Sequence, residues 1–173
     1  MALIVEDGTG MADANSYESV ENADAYFTAR GITAWSGSGP VKEAALIAAT
    51  EYVDIRWRGK LKGELQFPDT QARLFPRINV YDEELRLLTG VPKDLRSAVC
   101  EYALISLTQT LMPNQPVISS DVGKVLMEET KQVGPIRKSK KYQIGSAFQS
   151  FSKPDMLMST FIVAYAGQAT AYV

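Results

Sequence analysis

The stretch VPKDLRSAVCEYALISLTQTLMP, residues 91–113, restricts the possible folds more than any other part of the chain. Pro92 suits a first helical turn and Pro113 cannot continue one, so the pattern predicts a helix over about 92–112. Leu95, Val99 and Tyr102 share one face at helical spacing, and Cys100, Leu104, Leu107 and Leu111 share another. No charged residue occurs from Tyr102 to Ser120. A helix apolar on two sides must be covered on two sides, by the rest of a bundle or by a neighbouring subunit. It is the expected central helix.

The flanking sequence supplies material to cover it. Ser19 can cap a helix over 20–30 that places Val20, Ala23 and Phe27 together and stops at Gly31. After the linker SGSGP, 36–40, a second helix over about 41–55 carries Ala44, Ala45, Ile47, Ala48, Tyr52 and Ile55. Glu43, Glu51 and Asp54 form its one narrow polar stripe. VYDEELRLL, 80–88, can close a small hairpin around Asp82–Glu84. Val125, Met127, Ile136, Tyr142 and Ile144 alternate imperfectly about Gly134–Pro135, which predicts a β-hairpin over about 122–144. Lys153-Pro154-Asp155 begins a short helix before an uncharged end. The expected class is α+β, mainly α: a small helical bundle with a hairpin over residues 1–145 and a C-terminal arm over 146–173.

Several chemistries are excluded by what is missing. The 173 residues contain no histidine, the commonest general base and metal ligand, so no Ser–His–Asp or Cys–His arrangement can form within the chain. Neither GxxxxGK[ST] nor GxGxxG is present. Acidic residues in EDGTGMADANS, 6–16, do not follow an EF-hand spacing and no Glu closes the loop. No enzyme activity, metal or cofactor is therefore expected. The single cysteine, Cys100, lies in the central helix and reads as a core thiol in a reduced, cytosolic setting. MALIVEDG has no basic n-region, and the apolar runs 102–112 and 156–166 are too short to span a bilayer, so no membrane is expected.

Charge is distributed unevenly. The chain has 18 basic and 20 acidic residues, a net of −2, which argues against a general polyanion binder. Lys131, Arg137, Lys138, Lys140 and Lys141 nonetheless crowd eleven positions without one carboxylate. The first 30 residues hold six acids and Arg30 alone, a net of −5. Separated patches of opposite sign suit head-to-tail contacts between copies, which join two different surfaces. Three readings of the basic hairpin follow: a solvated edge that blocks strand pairing, a partner contact, or a DNA-facing element. A second candidate is the mixture of cations and aromatics around Arg56, Trp57, Arg58, Lys60 and Lys62, whose residue types stack on bases and hold phosphates. Its alternative is structural, with cations at a helix C-terminus and aromatics plugging the core. The apolar segment with Met156, Leu157, Met158, Phe161, Ile162, Val163, Tyr165 and Tyr172 is either a buried final helix or an arm that docks on a portal or an adjacent subunit.

MALIVEDGTGMADANSY, ADAYFTARG, LFPR, VPKDLRSAVCEYAL and VGPI, in this order, resemble the tailed-bacteriophage head–tail connector family. These are head-completion or adaptor proteins, often catalogued as DnaT-like single-stranded-DNA-binding proteins, and the resemblance covers about residues 1–145. It implies a virion protein at the head–tail junction, assembled in the host cytoplasm as a ring expected to hold 12 copies. The ring would dock on the portal, receive a tail or neck protein, and pass genomic double-stranded DNA non-specifically through its lumen. The alternative, from a different class, is a single-stranded-DNA-binding replication accessory protein of DnaT-like type.

Overall fold

The computed structural model describes residues 2–112, 124–132, 137–144 and 149–163. The class is α+β, mainly α. Among the described residues there are four helices, α1 (Val20–Thr28), α2 (Gly39–Trp57), α3 (Lys93–Ser106) and α4 (Ser152–Ser159), with short antiparallel strand pairs between α2 and α3 and a longer pair between α3 and α4. Strands β1 (Glu64–Leu65) and β2 (Arg77–Ile78) form one pair, and β3 (Val80–Tyr81) and β4 (Leu87–Leu88) another. Strands β5 (Lys124–Gln132) and β6 (Arg137–Ile144) form a longer hairpin.

The unit boundaries differ from those expected. Residues Met1–Leu111 and the chain from Ser150 onward make one compact unit, and Met112–Gln149 make a second. The C-terminal segment rejoins the first unit because it has core side chains to bury and an edge to pair with. Met158 and Phe161 are 0 % and 1 % exposed, and Phe161 meets Phe75 edge-on at 5.5 Å between ring centroids. Lys62 N–H donates to the Phe161 carbonyl at 2.7 Å, and Val163 N–H donates to the Lys60 carbonyl at 2.8 Å. Of the two readings of the C-terminal segment, residues 150–163 follow that of a final helix packed on the core.

α3 occupies the centre, packed against α2 and α4 with a smaller contact to α1. Leu95, Val99 and Tyr102 on one face are fully buried, whereas on the other Cys100 and Leu111 are buried and Leu104 and Leu107 only half-buried. The helix ends at Ser106, well before the expected residue 112. Ser106 Oγ donates to the Ala103 carbonyl at 2.8 Å and Thr108 Oγ1 to the Ile105 carbonyl at 3.0 Å. These hydroxyls engage the carbonyls of the last turn and favour a stop.

Two other elements match the local signals. Ser19 caps α1 by accepting the Asn22 N–H at 3.2 Å, and Pro40 stands in the first turn of α2. The polar stripe on α2 does not match. Asp54 is only 5 % exposed, whereas Val41 and Ile55 are 48 % and 50 % exposed. Asp54 turns inward because Tyr17 and Arg73 meet it there, with Tyr17 O–H donating to Asp54 Oδ1 at 2.6 Å.

The loop of residues 6–16 is organised around Glu6, which is 2 % exposed. Its Oε1 accepts the N–H groups of Gly8 and Gly10, and its Oε2 accepts that of Met11, each at 2.9 Å. Gly10 has φ +77, and a Cβ there would fall 2.4 Å from the Phe67 ring. Glycine is required both by backbone and by space.

Candidate nucleic-acid interface

The cation and aromatic mixture at the end of α2 is largely consumed by the fold. Trp57 is 9 % exposed, and the Arg56 guanidinium lies 4.7 Å from its ring centroid. Arg56 Nη2 also meets Asp155 Oδ2 at 2.6 Å. Asp155 accepts the Phe151 N–H at 2.9 Å and the Tyr102 hydroxyl, so one carboxylate joins α2, α3 and α4. Burial, with the Asp155 carboxylate close by, raises the Tyr102 phenol well above its usual range. These bonds tie down the last turn of α2, where a cation is favoured by the helix dipole.

The neighbouring cations are staples too. Lys62 Nζ donates to the Thr160 carbonyl at 2.8 Å. Arg77 donates to the carbonyls of Lys62 and Gly63, at 2.8 and 2.7 Å, and Arg73 to that of Ala14 at 2.8 Å. Phe75 is buried at 1 % exposure. Of the five candidate contacts, only Arg58 and Lys60 remain exposed. Within residues 56–62 no aromatic face is exposed for a base to stack on, which supports the structural reading of these residues.

The hairpin sorts its charges by register. Glu128 stands opposite Lys141, and Glu129 opposite Lys140. Opposite charges at directly paired positions favour that alignment. Toward the turn the pairs are Thr130 with Ser139, Lys131 with Lys138, and Gln132 with Arg137. Three cations and no acid occupy those turn-proximal positions. An extra residue, Met127, interrupts the ladder between Leu126 and Glu128 as a bulge. Sequence spacing grouped all five cations alike because Glu128 and Glu129 lie outside the window 131–141. Only pairing brings the acids opposite Lys140 and Lys141.

The remaining candidates separate. Met158 and Phe161 belong to the core, Leu157 and Ile162 are half-buried, and Met156 and Val163 are exposed. Tyr165 and Tyr172 lie outside the described residues. Cys100 is 1 % exposed, and burial, reinforced by the carboxylates of Glu18 and Glu101, pushes its thiol up to about 12. Such a thiol is inert as a nucleophile at neutral pH.

A family model described as "Putative DnaT-like ssDNA binding protein" matches residues 1–172. No curated protein and no solved structure matches the chain.

Proposed function

Because the chain belongs to this DnaT-like family, we propose that it is a non-catalytic protein that holds single-stranded DNA with the turn-proximal end of the β5–β6 hairpin. The observation that carries this reading is the register. It leaves Lys131, Lys138 and Arg137 without an opposed carboxylate, while Lys140 and Lys141 each stand opposite one. A chain of net charge −2 needs such local concentration of positive charge to hold a polyanion. Three phosphate contacts give a log–log salt dependence of about −2 for a single strand.

The test is fluorescence anisotropy of labelled oligo(dT) over a series of salt concentrations. Binding should weaken with about that slope. The triple reversal K131E/R137E/K138E should abolish it, and K140E/K141E should reduce it less. Equal effects of the two variants, or no binding at low salt, would refute the assignment.

A second reading is supported by the ordered motifs that resemble those of tailed-phage connectors and by the occurrence of an acidic N-terminal segment and a basic hairpin in one sequence. Here the protein is a virion component: a ring of 12 copies that docks on the portal, meets the tail or neck, and passes double-stranded DNA. The absence of an exposed aromatic platform at residues 56–62 favours this reading over strand binding through that segment. Electron microscopy of the protein with and without its portal separates the two functions, since only the connector forms portal-bound rings.

A further inference from the structure

The cations and rings at the end of α2 are concealed, and part of their cover comes from the far end of the chain. The Arg56 guanidinium and Lys60 Nζ lie 4.7 and 5.7 Å from the centroid of the same Trp57 ring, and Lys60 is exposed. Arg56 Nη1 donates to the Tyr52 hydroxyl. The Tyr52 and Tyr102 rings are 4.9 Å apart between centroids, and Phe151 meets them edge-on at 5.9 and 6.0 Å. Cations beside clustered rings are what a single-strand surface is built from, one holding phosphates and the other stacking on bases. Here Phe151 occupies the rings and Asp155 occupies Arg56.

The cover is held down by an anion. The Asp155 carboxylate takes Arg56 Nη2 at 2.6 Å, the Tyr102 hydroxyl, the Phe151 N–H at 2.9 Å and Ser150 Oγ at 3.0 Å. A phosphate oxygen makes the same charge-assisted bond to a guanidinium, so a nucleic-acid strand competes directly with Asp155 for Arg56.

The two ends of the covering segment are fastened differently. Its first turn depends on polar contacts, Asp155 to Arg56 and Lys153 to Glu101, and buries only Phe151 and Pro154. Phe151 stands at the N-cap, where no side chain caps the helix. Eight residues are too few for a helix to persist without its packing. The far end is anchored by the core side chains Met158 and Phe161 and by the backbone bonds of Phe161 and Val163 to Lys62 and Lys60. The first turn can therefore lift while the far end stays in place.

We propose that residues 150–155 are an autoinhibitory cover over a second nucleic-acid contact. A single strand whose phosphate displaces Asp155 from Arg56 lifts Phe151 and gains Arg56, Lys60 and the Tyr52–Tyr102 pair. This inference rests on the single-strand reading of the function, in which the hairpin makes the first contact.

Hydrogen–deuterium exchange and oligo(dT) anisotropy on the full chain test it, with circular dichroism as a fold control. Saturating oligo(dT) should accelerate amide exchange at residues 150–155 and leave residues 158–163 unchanged. Asp155→Asn removes the competing charge. It should tighten binding about tenfold and steepen the log–log salt slope by about 0.7, the share of one further phosphate. Arg56→Gln added to it should cancel both effects. Glu83→Gln, an equal change of charge at an exposed position, should produce neither. If Asp155→Asn does not fold, the exchange measurement on the parent chain decides alone. Unchanged or slowed exchange at 150–155 in the bound chain overturns the proposal and leaves the hairpin reading standing. An equal gain from Glu83→Gln does the same. A gain from Asp155→Asn alone, with K131E/R137E/K138E binding as the parent does, supports the covered contact and overturns the hairpin's. No binding by any form overturns both.

Discussion

Replacing Tyr17 by Phe removes one oxygen from the centre of the body. The Tyr17 side chain is fully buried, and its hydroxyl both donates to Asp54 Oδ1 at 2.6 Å and accepts the Phe75 N–H at 3.1 Å. The ring and its edge contact with Phe75, 6.2 Å between centroids, survive the change, so the packing loss is small. What is lost is a hydrogen bond to a carboxylate, worth roughly 1.5–3 kcal/mol, and an acceptor for a buried backbone N–H, whose isolation costs about 1–3 kcal/mol. Local relaxation offsets part of the sum, and a destabilisation of about 3 kcal/mol is expected. For a chain of this length that corresponds to a fall in melting temperature of roughly 6–12 °C. Urea denaturation of Tyr17→Phe, Asp54→Asn and the double variant supplies the measurement. The midpoint should fall with an unchanged slope, and the cycle should give a coupling of roughly 1 kcal/mol or more between the two residues. A loss below about 1 kcal/mol, or additive effects, would refute the claim that this pair organises the centre of the fold.

Three further outcomes are expected. Burial raises the Asp54 carboxyl above its usual pKa, so the folded chain holds that proton more tightly than the unfolded chain. Its stabilising share is full below the unfolded value of about 3.9 and declines as pH rises through the higher folded value. The stability of Asp54→Asn measured against the parent should therefore rise as pH increases above about 4, read from urea midpoints. Glu6→Gln puts an amide where three backbone N–H groups converge and should cost roughly 1–3 kcal/mol, measured the same way. Cys100, buried and with its thiol pushed up to about 12, should react with a thiol reagent only as fast as the protein unfolds. Rapid labelling of the native protein would show that α3 is not covered as described.

Local signals were readable where they act through neighbours in the chain. Ser19 caps α1, Pro40 opens α2, and the hairpin around Asp82–Glu84 forms, because capping and turn chemistry need only a few consecutive residues. Leu104 and Leu107 on one face of α3 stay half-buried, whereas the burial of Leu95, Val99 and Tyr102 on the other followed from their apolar spacing. The choice between a bundle and a neighbouring subunit as its cover did not, since periodicity describes a surface and not what lies against it. Asp54 belonged by spacing to a solvent stripe with Glu43 and Glu51. It was moved inward by Tyr17, 37 positions away, which no local pattern encodes.

The candidate interface shows the same division. Arg56 and Lys62 have the composition of a nucleic-acid contact, yet Asp155 and the Thr160 carbonyl, each about a hundred positions downstream, engage them. Glu128 and Glu129 change the meaning of the basic cluster through pairing register.

By itself, the order of residues determined the class, where each helix begins, the hairpin around Asp82–Glu84, and that no histidine takes part in any chemistry. Tertiary structure decided which charges and apolar side chains remain available to a partner. The physical reason is that helix and turn propensities are short-range, whereas a side chain's exposure and ionic partner depend on segments that only folding brings within a few ångströms.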